Sequence, residues 1–489
     1  MAGSGARATD QGYRSILRGS GAFGGVQLLQ VLVALVRGKL VAIFLGPAGM
    51  GMVQLYMSAT GTVQRLASLG LNLSVVKETA AAADQPERLH HTVAASRLMI
   101  TATALLGALV CLAGAPWLSR LTFGSPVHTA GFMLLAAMVF FGIAGQGEQS
   151  MLQGLRQARR LMVSSLVGSL CGLCVSVPLY ALMGERGIVP SLIFMAAAVW
   201  VFNYFSTRRA VGGAVDMRGA WRSHRPLMRA MLATGLVLMA SDAIGSACRY
   251  ALQAFLRYSG GVAEVGLYGA ADSLTVQYSG MVFAALAMDY LPRLAAVAHS
   301  ERRMRLAVNR QAEVVAWIAA PLGAALVLFA PLIVRLLLTA EFEPAVPLLR
   351  WMGLGLALKA LMLPMGYIAF AKDNRRVFFW LEGVWGNALY LALGCIGYHL
   401  WGLIGLGYAQ VADCVVSIAV YYIVNRRLYG FRFGRRTLRV TIGAAVAVGA
   451  VLAMSYISHP AGAIAGMGAA TAGITAAAFV RLRSLWRRR

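Results

Sequence analysis

The 489-residue chain predicts an all-α polytopic membrane protein with about fourteen transmembrane helices, arranged as two pseudo-symmetric six-helix lobes plus two C-terminal helices. Three observations carry this. Hydrophobic residues make up 59% of the chain and charged residues only 13%, with a mean hydropathy of +0.69, whereas soluble domains run near ~45–50% apolar with about a quarter of residues charged. Apolar runs of about 20 residues recur from end to end, each long enough to cross a hydrocarbon core of roughly 30 Å. The basic residues between those runs fall in alternate loops, as a multi-pass chain requires.

Runs between polar breaks place the spans near 19–45, 49–76, 93–118, 128–153, 161–183, 187–206, 228–256, 266–292, 311–338, 346–371, 377–398, 402–424, 438–457 and 462–482. Of the 44 basic residues, 34 lie at the termini and in the loops around 77–97, 156–160, 208–229, 293–310, 372–376 and 426–439. The opposite loops hold five: Arg120, Arg186, Arg257, Arg335 and Arg350. The positive-inside rule therefore places both termini in the cytoplasm, consistent with an even number of spans. The segment "MAGSGARATDQGYRS" lacks the short apolar core and small-residue cleavage site of a signal peptide, so the first span is expected to be retained.

The chain also repeats itself. "APWLSRL" at Ala115 recurs as "APLIVRL" at Ala330, Arg159-Arg160 as Arg375-Arg376, and Gly187 as Gly402, at offsets of 215 or 216. Gly49, Val53, Leu55, Tyr56 and Ala59 recur as Gly261, Val265, Leu267, Tyr268 and Ala271, at an offset of 212. A repeat of six spans gives both halves one orientation, related by an axis along the membrane normal. The expected organisation is an N-terminal lobe over 1–212, a C-terminal lobe over 213–430 and two added spans with a basic tail over 431–489, the lobes enclosing a central cavity.

The net charge of +26 does not point to nucleic acid, because no soluble domain is present to carry a basic face. The six cysteines all fall in apolar segments; Cys171 and Cys174 form a mid-helix CxxC without partner ligands and read as packing residues. There is no Walker A motif, nucleotide fingerprint or metal-ligand spacing, so no cofactor or metal is implied.

Five cations lie inside spans: Arg37, Lys39, Arg65, Arg249 and Lys359. A cation at the centre of a spanning helix costs roughly 2.5–3.5 kcal/mol on insertion scales, so each needs a compensating environment. Arg37 maps onto Arg249 at the repeat offset of 212, which is expected to set two guanidinium groups at similar depth on opposite lobes. Their planar donor forks suit phosphate oxygens. The alternative is pairing with a nearby acid, as Asp242 stands seven residues before Arg249 on the same helical face. Arg65 and Lys359 carry the same two readings; Lys39, two residues from Arg37, points elsewhere and can snorkel. The acids within spans are Glu148, Asp242, Asp272, Glu382 and Asp413, open to either charge pairing or proton or cation coupling. At the end of the eighth span, Asp289, Tyr290, Pro292 and Arg293 read as a gate or hinge, or as a plain helix terminator, since Pro292 is expected to end or kink the helix.

"GKLVAIFLGPAGMGMVQLY" (Gly38–Tyr56), "MDYLPRLAAVAHS" (Met288–Ser300) and "LPMGYIAFAKDNRRVFF" (Leu363–Phe379) together resemble the Wzx-type O-antigen flippases of the multidrug/oligosaccharidyl-lipid/polysaccharide exporter superfamily, over most of the first 430 residues. The resemblance implies a lipid flippase rather than an enzyme. Its implied task is to carry undecaprenyl-pyrophosphate-linked oligosaccharide repeat units, of O-antigen, enterobacterial common antigen or capsule type, across the bacterial inner membrane by alternating access. It implies a central cationic cavity, onto which Arg37, Arg65, Arg249 and Lys359 map, and a polymerase and chain-length regulator of the same glycan pathway as protein partners. A drug or cation antiporter of the same superfamily is the runner-up, favouring a carboxylate-rich cavity. A glycan polymerase or polytopic glycosyltransferase would need a longer catalytic outer loop than any present here.

Overall fold

The computed structural model describes residues 4–213, 225–457 and 460–487, and every regular element among them is helical. In chain order these are α1 (Ser4–Ala67), α2 (Leu71–Ala82), α3 (Pro86–Phe123), α4 (Thr129–Gly154), α5 (Ala158–Met183), α6 (Ile188–Val211), α7 (Arg225–Gly260) and α8 (Val262–Asp272). They continue as α9 (Tyr278–Val297), α10 (Glu301–Leu337), α11 (Val346–Ala371), α12 (Arg375–Phe378), α13 (Gly386–Trp401), α14 (Leu403–Tyr429), α15 (Arg435–Met454) and α16 (Pro460–Arg487). Among the described residues, nine helical stretches are long and apolar enough to cross a membrane, and two of them, Leu29–Ala67 and Ala158–Val211, each overlap two predicted spans. The remaining predicted spans, the seventh, eighth and eleventh, fall on α7, α8–α9 and α12–α13. The protein is a multi-pass helical membrane protein.

The breaks follow local chemistry. Inside α1 the chain kinks at Gly46 (φ 61°, ψ −169°) just before Pro47; glycine accepts the left-handed φ and proline withholds the donor that would continue the helix. The predicted second span, 49–76, is not one helix: Leu69 (φ 49°) and Gly70 (φ 65°) turn the chain, so α2 starts anew at Leu71. Two π-helical turns, Ser273–Gln277 and Phe379–Trp385, interrupt the predicted eighth and eleventh spans.

The internal repeat is visible in the backbone. α4 and α11 are both 26 residues long, starting at Thr129 and Val346. Each ends in the same turn: Leu155, Arg156 and Gln157 N–H donate to Met151, Gln153 and Leu152, while Lys372, Asp373 and Asn374 N–H donate to Ile368, Phe370 and Ala369. Arg156 (φ 56°) and Asp373 (φ 52°) occupy the same left-handed position in these turns. The glycine that shares Gly402's conformation (φ 62°, ψ −145°) is Gly184 (φ 55°, ψ −131°) rather than Gly187. Packing repeats as well: α4 packs on α3 and α6, and α11 on α10 and α14.

Contacts divide the chain into two compact units, one of Met1–Leu45 with Leu55–Ser246, the other of Gly46–Gln54 with Ala247–Arg489. α7, which the sequence assigns wholly to the second lobe, is thus shared between them. In the first unit Leu135, Leu152, Ile188 and Leu192 are fully buried. In the second, the Gly46–Gln54 segment lies against α8 so closely that a methyl on Gly51 or Gly266 would strike the carbonyl of Val262 or Pro47. α15 and α16 pack onto this unit through Val448, Val451, Leu452 and Met467, which share a core with Ala320, Ala324 and Val327 of α10.

Candidate functional site

In the first unit, α1, α2, α4 and α7 surround a polar cavity of about 580 Å³. Arg65 and Asp242 sit on its wall, with Arg65 Nη1 2.7 Å from both carboxylate oxygens. Asp242 therefore has Arg65 as an ion-pair partner, where the sequence offers Arg249 on its own helix. The reason is reach: Arg65 comes from a helix facing α7, whereas a seven-residue step along α7 is two turns, about 10 Å. Asn72 Nδ2 donates to Gln146 Oε1 at 3.0 Å across the same cavity. Gln146, Gln149 and Gln153 recur every three or four residues of α4, so the polar face of that helix meets the cavity.

Glu148 lies on the other face of α4. It accepts from Arg97 Nε and Nη2 at 2.9 and 3.2 Å, and both side chains are buried. The sequence groups Arg97 with the basic loop at 77–97; it is instead a buried residue of α3 whose guanidinium stands 4.6 Å over the Tyr204 ring. Glu148 is thus ion-paired within the first unit. Arg37 is half-buried, with Nη1 2.8 Å from Met195 Sδ of α6.

In the second unit the intramembrane charges gather around α8, α11 and α14. Asp272 lies within electrostatic reach of Lys359 and Arg249, and Asp413 within reach of Lys359. Tyr268 and Tyr390 share a hydroxyl hydrogen bond of 2.6 Å beside Asp272. Asp272 is the last residue of α8 before its π turn, and Glu382 lies inside the other π turn, between Gly366 and Tyr421. Such turns re-aim side chains by one register step and recur at functional positions.

The Asp289–Arg293 stretch does not end its helix at Pro292; α9 continues to Val297, a full turn further. The side chains of Asp289 and Pro292 lie outside the described residues. Tyr290 is buried, donates to the Pro364 carbonyl at 3.1 Å and packs with Leu294, Met304 and Phe431. Arg293 is exposed and has a partner.

Residues that sequence reasoning did not single out are Arg97 and the cavity amides Gln64, Asn72, Gln146, Gln149 and Gln153. The available signal was the run of glutamines at helical spacing in "GQGEQSMLQG", polar inside an otherwise apolar span.

The family model described as polysaccharide biosynthesis protein matches residues 40–347. The chain is 26% identical over 365 residues to the lipid III flippases of Escherichia coli (strain K12) and Shigella flexneri, covering 73% of its own length and 85% of theirs. Among solved structures, the lipid II flippase MurJ in its inward closed conformation aligns with a TM-score of 0.71 at 11% identity, over 95% of this chain and 99% of MurJ. An inward-facing multidrug resistance MATE family transporter of the MOP superfamily aligns with a TM-score of 0.69 at 17% identity, over 82% and 94%. The two structural likenesses establish an MOP-type fold, in agreement with the superfamily resemblance of the sequence. With a family model matching well over half its length, the chain belongs to the polysaccharide biosynthesis protein family.

Proposed function

We propose that this protein is a flippase that moves a lipid-linked oligosaccharide, carried on undecaprenyl pyrophosphate, across the bacterial inner membrane by alternating access. The observation that supports this most directly is a polar cavity of about 580 Å³ set among apolar spans. A hydrophilic head group needs such a lining to leave water, because unsatisfied polar groups in hydrocarbon cost several kcal/mol each. The lipid III flippase relatives favour a lipid-linked glycan over a drug. We assign Arg37, Arg249 and Lys359 to the pyrophosphate, whose oxygens take charge-assisted hydrogen bonds from guanidinium and ammonium groups.

On the positive-inside reading both termini face the cytoplasm, and the substrate then moves outward from a negative interior. Each elementary charge crossing is worth about 2.3 kcal/mol per 100 mV, which assists an outgoing anion and the return of an empty cationic site alike. Coupling through Asp272 or Asp413 is then an addition rather than a requirement. Depletion of the protein in its host is the test: lipid-linked repeat units should accumulate in the inner leaflet and disappear on complementation. Normal glycan export without the protein would overturn the assignment.

A further inference from the structure

The transport reading uses the polarity of the cavity in the first unit and assigns its individual side chains no role. That lining is rich in side-chain amides: Gln146, Gln149 and Gln153 from α4, Asn72 from α2 and Gln64 from α1. An amide presents a donor and an acceptor in one plane, the arrangement that matches neighbouring sugar hydroxyls. The Asn72–Gln146 hydrogen bond of 3.0 Å fixes two of these amides relative to one another, so part of the lining is preorganised. Charge argues against an anion here. The charged members of the lining are Arg65 and Asp242, and with Arg65 Nη1 2.7 Å from both carboxylate oxygens they cancel. Leu73 and Met239 add an apolar surface suited to the C–H face of a pyranose, and about 580 Å³ falls within the usual range for small-molecule sites, roughly 300–1,000 Å³.

We propose that this cavity is the glycan-recognition subsite: it takes the neutral, hydroxyl-rich saccharide of the substrate, and Arg65 serves there as a hydrogen-bond donor held by Asp242 rather than as a pyrophosphate ligand. The inference rests on the flippase reading. It assigns specificity to the amide face of α4 and charge recognition to other cations, so the two functions are separable by mutation.

The test uses the purified full chain and two probes, undecaprenyl pyrophosphate and the same lipid carrying its oligosaccharide, extracted from a strain lacking the protein. Wild type should bind the glycosylated lipid about tenfold tighter, the effect of one or two net hydrogen bonds. Gln146→Ala with Gln153→Ala should abolish that preference while leaving affinity for the bare lipid unchanged; both side chains are exposed in the fold, so the melting temperature should hold. Independently, Asp242→Asn should weaken the sugar preference several-fold and leave affinity for the bare lipid unchanged, because Arg65 loses the carboxylate that holds it while the pyrophosphate is bound elsewhere. A double glutamine variant that keeps the sugar preference, or an Asp242→Asn protein that keeps it or changes affinity for the bare lipid, overturns the subsite. Failure of the flippase reading itself looks different: wild type then binds neither lipid.

Discussion

Arg97 and Glu148 form a two-pronged ion pair between α3 and α4, with side chains only 9% and 6% exposed. Both guanidinium nitrogens that reach the carboxylate are matched to separate oxygens, and the Tyr204 ring covers the cation from one side. Breaking such a pair leaves an uncompensated buried charge, at a cost of about 3–5 kcal/mol. Arg97→Leu should therefore reduce folded protein in the membrane and lower the detergent melting temperature sharply. Arg97→Leu with Glu148→Leu should recover most of the loss, since a buried pair replaced by apolar groups is often neutral. A double variant as unstable as the single one would show that the pair does more than neutralise itself.

The contact of Gly51 with the Val262 carbonyl, and of Gly266 with that of Pro47, leaves no room for a side chain. Gly51→Ala and Gly266→Ala should each cost about 1–3 kcal/mol through forced separation of the two segments. Gly61→Ala, at a position with open space around it, is the matched control and should be neutral. Melting temperatures of the three variants decide the point; a stable Gly266→Ala protein would refute the close approach.

Arg249 and Lys359 share Asp272 as an electrostatic neighbour. If they bind pyrophosphate, removing either cation should cost about 2–5 kcal/mol of substrate interaction, and glycan export at unchanged expression should fall more than tenfold. Arg249→Lys should rescue only partly, because it keeps the charge and loses the fork. Complementation of a deletion strain reads this out. Full export by the Arg249→Ala, Lys359→Ala double variant would remove both from the site.

A chain ending at residue 434 lacks α15 and α16 and so uncovers Ala320, Ala324 and Val327. In lipid that exposure forfeits packing but carries little hydrophobic penalty, since acyl chains are as apolar as the lost neighbours. The truncated protein should insert, melt lower in detergent and retain part of its transport. Export abolished in a stably inserted truncation would show that the last two helices take part in the function.

The sequence by itself determined the multi-pass helical class, the alternation of basic loops and the duplication of the six-span unit. These are one-dimensional quantities: run length against bilayer thickness, and charge against loop position. Even the repeated turn after α4 and α11 was foreshadowed by Arg159-Arg160 and Arg375-Arg376. Partner choice was not legible, because it depends on which helix faces touch. Arg65 meets Asp242 across 177 residues of chain, although periodicity alone had offered Arg249 as that acid's neighbour. Arg97 looked like a loop cation because hydropathy does not distinguish the early turns of a long helix from the loop before it; only Glu148, 51 residues on, reveals that it is buried. The cavity amides were visible as letters and invisible as a site until α1, α2 and α4 brought them around one cavity, since an amide's role is set by what stands opposite it rather than by its place in the chain.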